Sequence, residues 1–249
     1  MLHDVAELVT AGLKPGARFF DPFVGSAAVS REIRRKQPCV DHVLGDANPW
    51  LAALLDTART PDPVPIPSNY LDFDFWRGLT DDEAGQLDVI TRAQRFAICL
   101  HTAWGHRWKT DSAGRFTQST APLQATFCEP AYLRRQLDHV FTVKWLRAAD
   151  IVVTGDWRST VATFEYGDLV YLDPPYPETL GYGTQTWTIA DLLDVIDWLA
   201  DARINAVVSN VADIERLLVR AGFQTRCLLS PTASRTRRQR REIIAWRYH

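Results

Sequence analysis

The stretch that most constrains this chain is Leu169-Val170-Tyr171-Leu172-Asp173-Pro174-Pro175-Tyr176. Its first four residues form an apolar run rich in β-formers and read as a buried strand, which the two prolines end because neither can donate to a sheet ladder. Asp173 therefore stands at a strand's carboxyl end, the edge where open α/β sheets bind ligands. The fixed φ of Pro174 and Pro175 makes the turn stiff, and the carbonyls between them are expected to have no neighbouring N–H to occupy them. The stretch predicts an acceptor pair, the Asp173 carboxylate and the Pro174 carbonyl, next to the ring of Tyr176.

Such a pair suits a planar heterocycle with an exocyclic amine, whose two N–H groups donate to Asp173 and Pro174 while Tyr176 stacks on the ring. Asp-Pro-Pro-Tyr behind a hydrophobic strand resembles the catalytic motif of the amino-methyltransferases that modify adenine N6 in DNA, and its surroundings are similar to the Dam-like branch. That resemblance implies Asp173, Pro174, Pro175 and Tyr176 as the catalytic set and S-adenosylmethionine as cofactor. Read without it, the segment is a strand followed by a Pro-Pro turn with a capping acid.

The first third of the chain supplies a matching cofactor half. Asp4 to Leu13 has helical spacing, Ala17 to Phe20 reads as a strand, and Asp21-Pro22-Phe23-Val24-Gly25-Ser26 turns into a helix over about Ala27 to Lys36. A strand, a glycine turn and a helix N-terminus make a nucleotide-binding unit, though also an ordinary connection. A second strand, Val40 to Leu44, ends in Gly45-Asp46-Ala47-Asn48-Pro49, which places Asp46 about 20 residues past Gly25, the usual offset for an acid on ribose hydroxyls. Asp46 also reads as a helix cap ahead of Pro49. In the family the segments read Phe-x-Gly-x-Gly and Asp-x-Asn, and by that likeness Asp21, Phe23, Gly25, Ser26, Asp46 and Asn48 hold S-adenosylmethionine. Ala27 replaces the second glycine. The family's opening lysine and Gly-Gly-Lys turn have no counterpart before the first helix, so either the true start lies upstream, or another residue such as Ser26 substitutes, or the resemblance implies weaker cofactor binding.

Pro61 to Pro67 is proline-rich and marks a boundary, and Asp62 to Glu83 is acidic enough to read as a solvated face turned away from DNA. Between Asp88 and Asp150 basic residues outnumber acidic ones, which matters because a formal charge of -2 gives no global attraction to nucleic acid. A helix over about Leu87 to His101 leads into Trp104, Arg107 and Trp108, then a hydrophilic loop over Thr110 to Thr120 with Arg115 and Phe116. Arginines interleaved with aromatics can meet phosphates and bases, and Arg107, Trp108 and Arg115 are the expected DNA contacts. The alternative is a helical insertion whose aromatics form its own small core.

Ala148 to Val153 reads as a third strand, ending in Asp156-Trp157, a pair that either holds the cofactor adenine or is a turn acid followed by a core tryptophan. A short helix over Ser159 to Tyr166 leads to the Asp-Pro-Pro-Tyr strand. After it, Pro177 to Trp187 is polar and glycine-bearing and reads as a lid. Thr188 to Asp191 is a capping box opening a helix to about Asp201, with Ile189, Leu192, Leu193, Ile196 and Leu199 on its buried side. Ile204 to Val208 is a strand closed by Ser209-Asn210, Ile214 to Arg220 a helix, and Phe223 to Leu229 with Glu242 to Trp246 a hairpin. Its loop carries Arg235, Arg237, Arg238, Arg240 and Arg241, a solvated face or, as favoured, a phosphate contact.

The expected fold is a Rossmann-like α/β methyltransferase sheet with an antiparallel last strand and an inserted helical target-recognition domain. The expected divisions are 1–60, cofactor-binding half, 61–145, recognition insertion, and 146–249, catalytic half. The motif order matches the family's α arrangement over about residues 17 to 249. It implies methyl transfer to a flipped-out adenine in duplex DNA, with no metal, and admits a cognate restriction endonuclease as partner in a restriction-modification system. An RNA adenine methyltransferase shares every catalytic residue, a cytosine-N4 enzyme more often has serine before Pro-Pro, and a catalytically inactive DNA-binding protein keeps the fold without turnover. Neither a spanning segment nor a secretory signal is visible, so a cytosolic location is expected. Cys39, Cys99, Cys128 and Cys227 show no paired spacing and read as reduced, buried filler.

Overall fold

The structure is a computed structural model and describes residues 1–103, 108–118, 129–175, 187–201, 203–230 and 240–249. The helices are α1 (Leu2–Gly12), α2 (Ala28–Lys36), α3 (Pro49–Thr57), α4 (Phe73–Gly78), α5 (Asp81–Ala84), α6 (Val89–Thr102), α7 (Pro130–Thr142), α8 (Trp157–Val161), α9 (Ile189–Asp201) and α10 (Glu215–Arg220). The strands are β1 (Phe19–Asp21), β2 (His42–Asp46), β3 (Ile151–Thr154), β4 (Leu169–Leu172), β5 (Asn205–Val211), β6 (Gln224–Ser230) and β7 (Arg240–Arg247). Among the described residues these strands form one seven-stranded sheet in the order β3-β2-β1-β4-β5-β7-β6. The β1, β2, β4 and β5 pairings are parallel, while β7 runs antiparallel to β5 and β6. This is the mixed α/β class with an antiparallel last strand that the sequence predicts.

The chain divides into two compact units. One comprises Met1–Gly45 with 156–175 and 187–249, the other Asp46–Gly155. In the first unit, α1 lays Val5, Ala6 and Val9 against Phe19, Leu169, Tyr171, Val207 and Ile244. A full helical stripe meeting alternate residues of four strands explains why all of these are buried. Where β1 and β4 begin, Asp168 accepts from the Arg18 backbone N–H at 2.8 Å and from its guanidinium Nη2 at 2.6 Å. Those bonds raise the arginine further above its ordinary pKa and fix the register of the two strands. Gly45 in β2 is required by proximity, since a Cβ there would collide with the Thr160 side chain of α8.

Several elements depart from the sequence expectation. β2 begins at His42 rather than Val40 and runs through Asp46, and β5 continues through Ser209 and Asn210 to Val211. β3 covers Ile151–Thr154 rather than Ala148 to Val153, and its Ile151 is 45% exposed. α9 opens with the predicted box, Asp191 accepting from the Thr188 N–H at 2.8 Å, but Ile189 and Leu193 are exposed and Val195 takes their place in the core. Cys39 and Cys227 are exposed, whereas Cys99 is buried and its thiol is pushed up to about 12 by desolvation. Cys128 and the proposed lid residues 177–186 lie outside the described residues.

The second unit has a core of its own. Arg95 of α6 is fully buried, donating through Nε to the Trp76 carbonyl at 3.0 Å and through Nη2 to the carbonyls of Leu79 and Gly114. Its guanidinium carbon lies 3.8 Å from the Trp50 ring centroid, and the Trp50 indole N–H donates to Asp81 at 2.7 Å. The acidic stretch from Asp62 to Glu83 keeps its acids exposed, as expected of a solvated face, while its Trp76 is buried and its Asp81 accepts from the Trp50 indole. The sequence reading gives α3 only as the helix that Asp46 would cap ahead of Pro49, and it does not single out α4, α5 or α7. No helix among the described residues is long and apolar enough to cross a membrane.

Candidate active site

β4 delivers Asp173 just beyond its last strand residue, as the apolar run followed by Pro-Pro predicts. Asp173 keeps accessible surface, yet protein crowds its carboxyl closely enough that desolvation, more than any other cause, raises its pKa to about 6. Hydrogen bonds from Ser209 and Tyr171 pull it down, and the Glu242 charge pushes it up. The Tyr171 hydroxyl and Ser209 Oγ are themselves 2.8 Å apart.

One expectation is corrected here. The Pro174 carbonyl is not without a neighbouring donor, because the Asn210 side-chain amide donates to it at 3.3 Å from the adjacent strand β5. A carbonyl oxygen has two lone pairs, so the contact aims the group and leaves it a second acceptor site. Pro174 is buried and Pro175 half-buried, while Tyr176 lies outside the described residues. Ser209, Asn210, Tyr171 and Glu242 were not identified as site residues from the sequence. A polar pair ending an apolar strand, Ser209-Asn210 after Val207-Val208, was the available signal.

In the same unit, the turn after β1 has the conformation that nucleotide approach requires. Asp21 is buried and accepts from Ser30 Oγ at 2.5 Å, which ties the first turn of α2 to the strand end. Gly25 has φ 46° and Ala27 φ 57°, so both occupy the left-handed region. Ala27 holds the backbone that glycine adopts freely, and its methyl is 2% exposed, so the substitution does not obstruct the turn's outer face. Phe23 is half-buried with its ring edge-on to Trp187, and Ser26 is exposed.

Asp46 ends β2 half-buried, and its Oδ1 accepts from the Asn48 N–H at 2.9 Å. It is Asn48 that caps α3, accepting from Trp50 and Leu51, so the helix-cap reading belongs to Asn48 rather than Asp46. Asp156 is exposed, caps α8 and pairs with Arg158 at 3.1 Å, but Trp157 is buried and edge-on to Trp198. Trp157 thus packs in the core of this structure, as the alternative reading of the Asp156-Trp157 pair has it. Trp108 is likewise enclosed, stacked on Phe96 at 4.7 Å and tilted on Phe116 at 4.9 Å, so Trp108 and Phe116 pack into the core of the insertion, while Trp104 lies outside the described residues. Arg115 is exposed, with Nε 3.2 Å from Asp111. Arg107, Arg235, Arg237 and Arg238 lie outside the described residues, and Arg240 is described only as the backbone opening β7. No cluster of potential metal ligands occurs among the described residues.

No protein-family profile matches the chain, and no curated protein does. Among solved structures it aligns with precorrin-6y C5,15-methyltransferase from Geobacter metallireducens at 13% identity and TM-score 0.39, covering 98% of this chain and 89% of that one. A likeness at that level assigns neither substrate nor cofactor. The seven-stranded mixed sheet stands on its own pairings.

Proposed function

We propose that this chain is an adenine-specific DNA methyltransferase that moves a methyl group from S-adenosylmethionine to N6 of a base flipped out of duplex DNA. The observation that carries the reading is the acceptor pair after β4, the Asp173 carboxyl and the Pro174 carbonyl, the latter aimed by Asn210. Two acceptors on a stiff turn match the two protons of an exocyclic amine and distinguish it from a ring nitrogen or a hydroxyl.

The turn residues fit the cofactor. Gly25 carries no side chain where a ligand would meet the backbone, and Ser26 is accessible. Phe23, Gly25 and Ser26 would meet the cofactor, with Asp21 holding their turn, while Asp46 would take ribose hydroxyls and Asp156 the cofactor's adenine amine. When bound, S-adenosylmethionine supplies an electrophilic methyl carbon. The protein's own contribution is orientation. The amine lone pair is delocalised into the purine, and accepting its protons at Asp173 and Pro174 favours a pyramidal, more nucleophilic nitrogen in line with the methyl. Tyr176 stacks on the base. Arg115 and the arginines from Arg235 to Arg241 supply phosphate contacts that a net charge of -2 cannot.

The test is transfer of labelled methyl to duplex DNA by the wild type and Asp173→Ala. The variant should lose at least about a hundredfold in turnover, roughly 3 kcal/mol of transition-state stabilisation, with cofactor affinity nearly unchanged. Turnover within about tenfold of wild type would remove Asp173 from the chemistry.

A further inference from the structure

Two rings meet at the turn after β1. Phe23 belongs to that turn, and Trp187 stands one residue before Thr188, where α9 begins. Their ring centroids are 5.4 Å apart at an interplanar angle of 86°, an edge-to-face pair. Both backbones are held in place. The Val24 N–H donates to the Gly45 carbonyl at 3.0 Å and the Ala27 N–H to the Val24 carbonyl at 2.7 Å. The Thr188 N–H donates to Asp191 at 2.8 Å and the Asp191 N–H donates back to Thr188 Oγ1 at 3.2 Å, which sets the chain's entry to α9. β1 and β4 pair in parallel with Phe20 beside Val170, so the Phe23 turn and the Asp173 turn leave the sheet side by side at one edge.

Trp187 as a whole is half-buried, yet its indole N–H is withdrawn from water and has no hydrogen-bond partner among the described residues. The indoles of Trp50 and Trp76, by contrast, donate to Asp81 at 2.7 Å and to the Asn69 carbonyl at 2.9 Å. An indole N–H can only donate, so a buried one costs free energy until an acceptor reaches it.

We infer that Trp187 is a cofactor-binding residue whose indole N–H donates to the carboxylate at the amino-acid end of S-adenosylmethionine. The inference rests on the methyl-transfer reading. The order of strands selects that end of the cofactor, because β1 lies between β2 and β4. With the ribose hydroxyls assigned to the end of β2 and the sulfonium methyl required to face Asp173 beyond β4, the cofactor crosses the turn after β1. Its adenosine then lies on the β2 side and its amino-acid end on the β4 side, from which the chain runs on to Trp187. A carboxylate is also the strongest acceptor that the cofactor carries, and a hydrogen bond to it is charge-assisted. Phe23 holds the indole ring from its edge, so the donor is in place before the cofactor arrives.

The experiment measures, by calorimetry, the binding of S-adenosylmethionine and of its decarboxylated analogue to wild type, Trp187→Phe and Trp187→Ala. Phenylalanine keeps a ring and removes the donor. Trp187→Phe should bind S-adenosylmethionine about tenfold more weakly and the decarboxylated analogue within about twofold of wild type, a selectivity that loosened packing would not produce. Trp187→Ala should weaken both ligands, because the contact with Phe23 is lost as well. Unchanged S-adenosylmethionine affinity in Trp187→Phe overturns the inference, as does an equal loss for the two ligands. If the variants do not fold, the Trp187 indole N–H resonance of the wild type decides. It should move downfield with S-adenosylmethionine and hold its place with the decarboxylated analogue, and equal movement with both overturns the inference. A wild type that binds S-adenosylmethionine in this way but methylates no DNA defeats the proposed substrate and leaves the inference standing, whereas one that binds neither ligand overturns both.

Discussion

Asp173 carries both the chemistry and a stability signature. Its folded pKa of about 6 lies above the ordinary aspartate value of 3.8, so between those two pH values the folded chain binds more protons than the unfolded one. Stability contributed through this group is therefore greatest below pH 3.8 and is lost as pH rises through 6. Asp173→Asn should lack that decline, and its stability relative to wild type should improve from pH 4 to pH 7 in urea titrations. A constant difference across that range would mean that Asp173 is not crowded as described. Catalysis runs the other way, because only the ionised carboxylate accepts from the amine, and turnover should fall with acid below about pH 6. The position of this residue was legible in the sequence. Its partners were not, because Ser209, Asn210 and Glu242 come from strands that meet β4 only through the sheet order, and pairing between distant strands leaves no local trace.

The elements show the same division between what is local and what is not. The strand-turn-helix after Phe19, the capping box at Thr188 and the hairpin of β6 and β7 were legible because spacing and capping residues act over a few positions. Trp157 and Trp108 could be placed beside their motifs but not assigned to core or surface. That choice depends on Trp198, Phe96 and Phe116, which approach from elsewhere in the chain. The consequence for the second unit is specific. Trp108→Ala should cost about 3 to 5 kcal/mol of stability by emptying a packed ring site, whereas Arg115→Ala, exposed and paired with Asp111 at the surface, should change stability by less than about 1 kcal/mol while weakening DNA binding. Thermal unfolding of the two variants checks the contrast. A Trp108→Ala protein as stable as wild type would return that ring to the surface.

At the level of the whole molecule, two acceptors at a strand end, a left-handed turn after β1 and a sheet ending in an antiparallel strand make one consistent arrangement. The sequence conveyed the class of sheet because its apolar runs and Pro and Gly punctuation recur in order. It conveyed less about Asp46–Gly155, whose core is organised by a buried arginine that no pattern announces. The account stands or falls on whether DNA is the methyl acceptor and adenine N6 the atom. The direct measurement is to express the chain, with Asp173→Ala as control, in a host free of DNA methylation and to sequence the genome for modified bases. The account predicts N6-methyladenine at one recurring sequence with the wild type and none with the variant. A genome without N6-methyladenine, from cells holding folded, cofactor-binding protein, would contradict it.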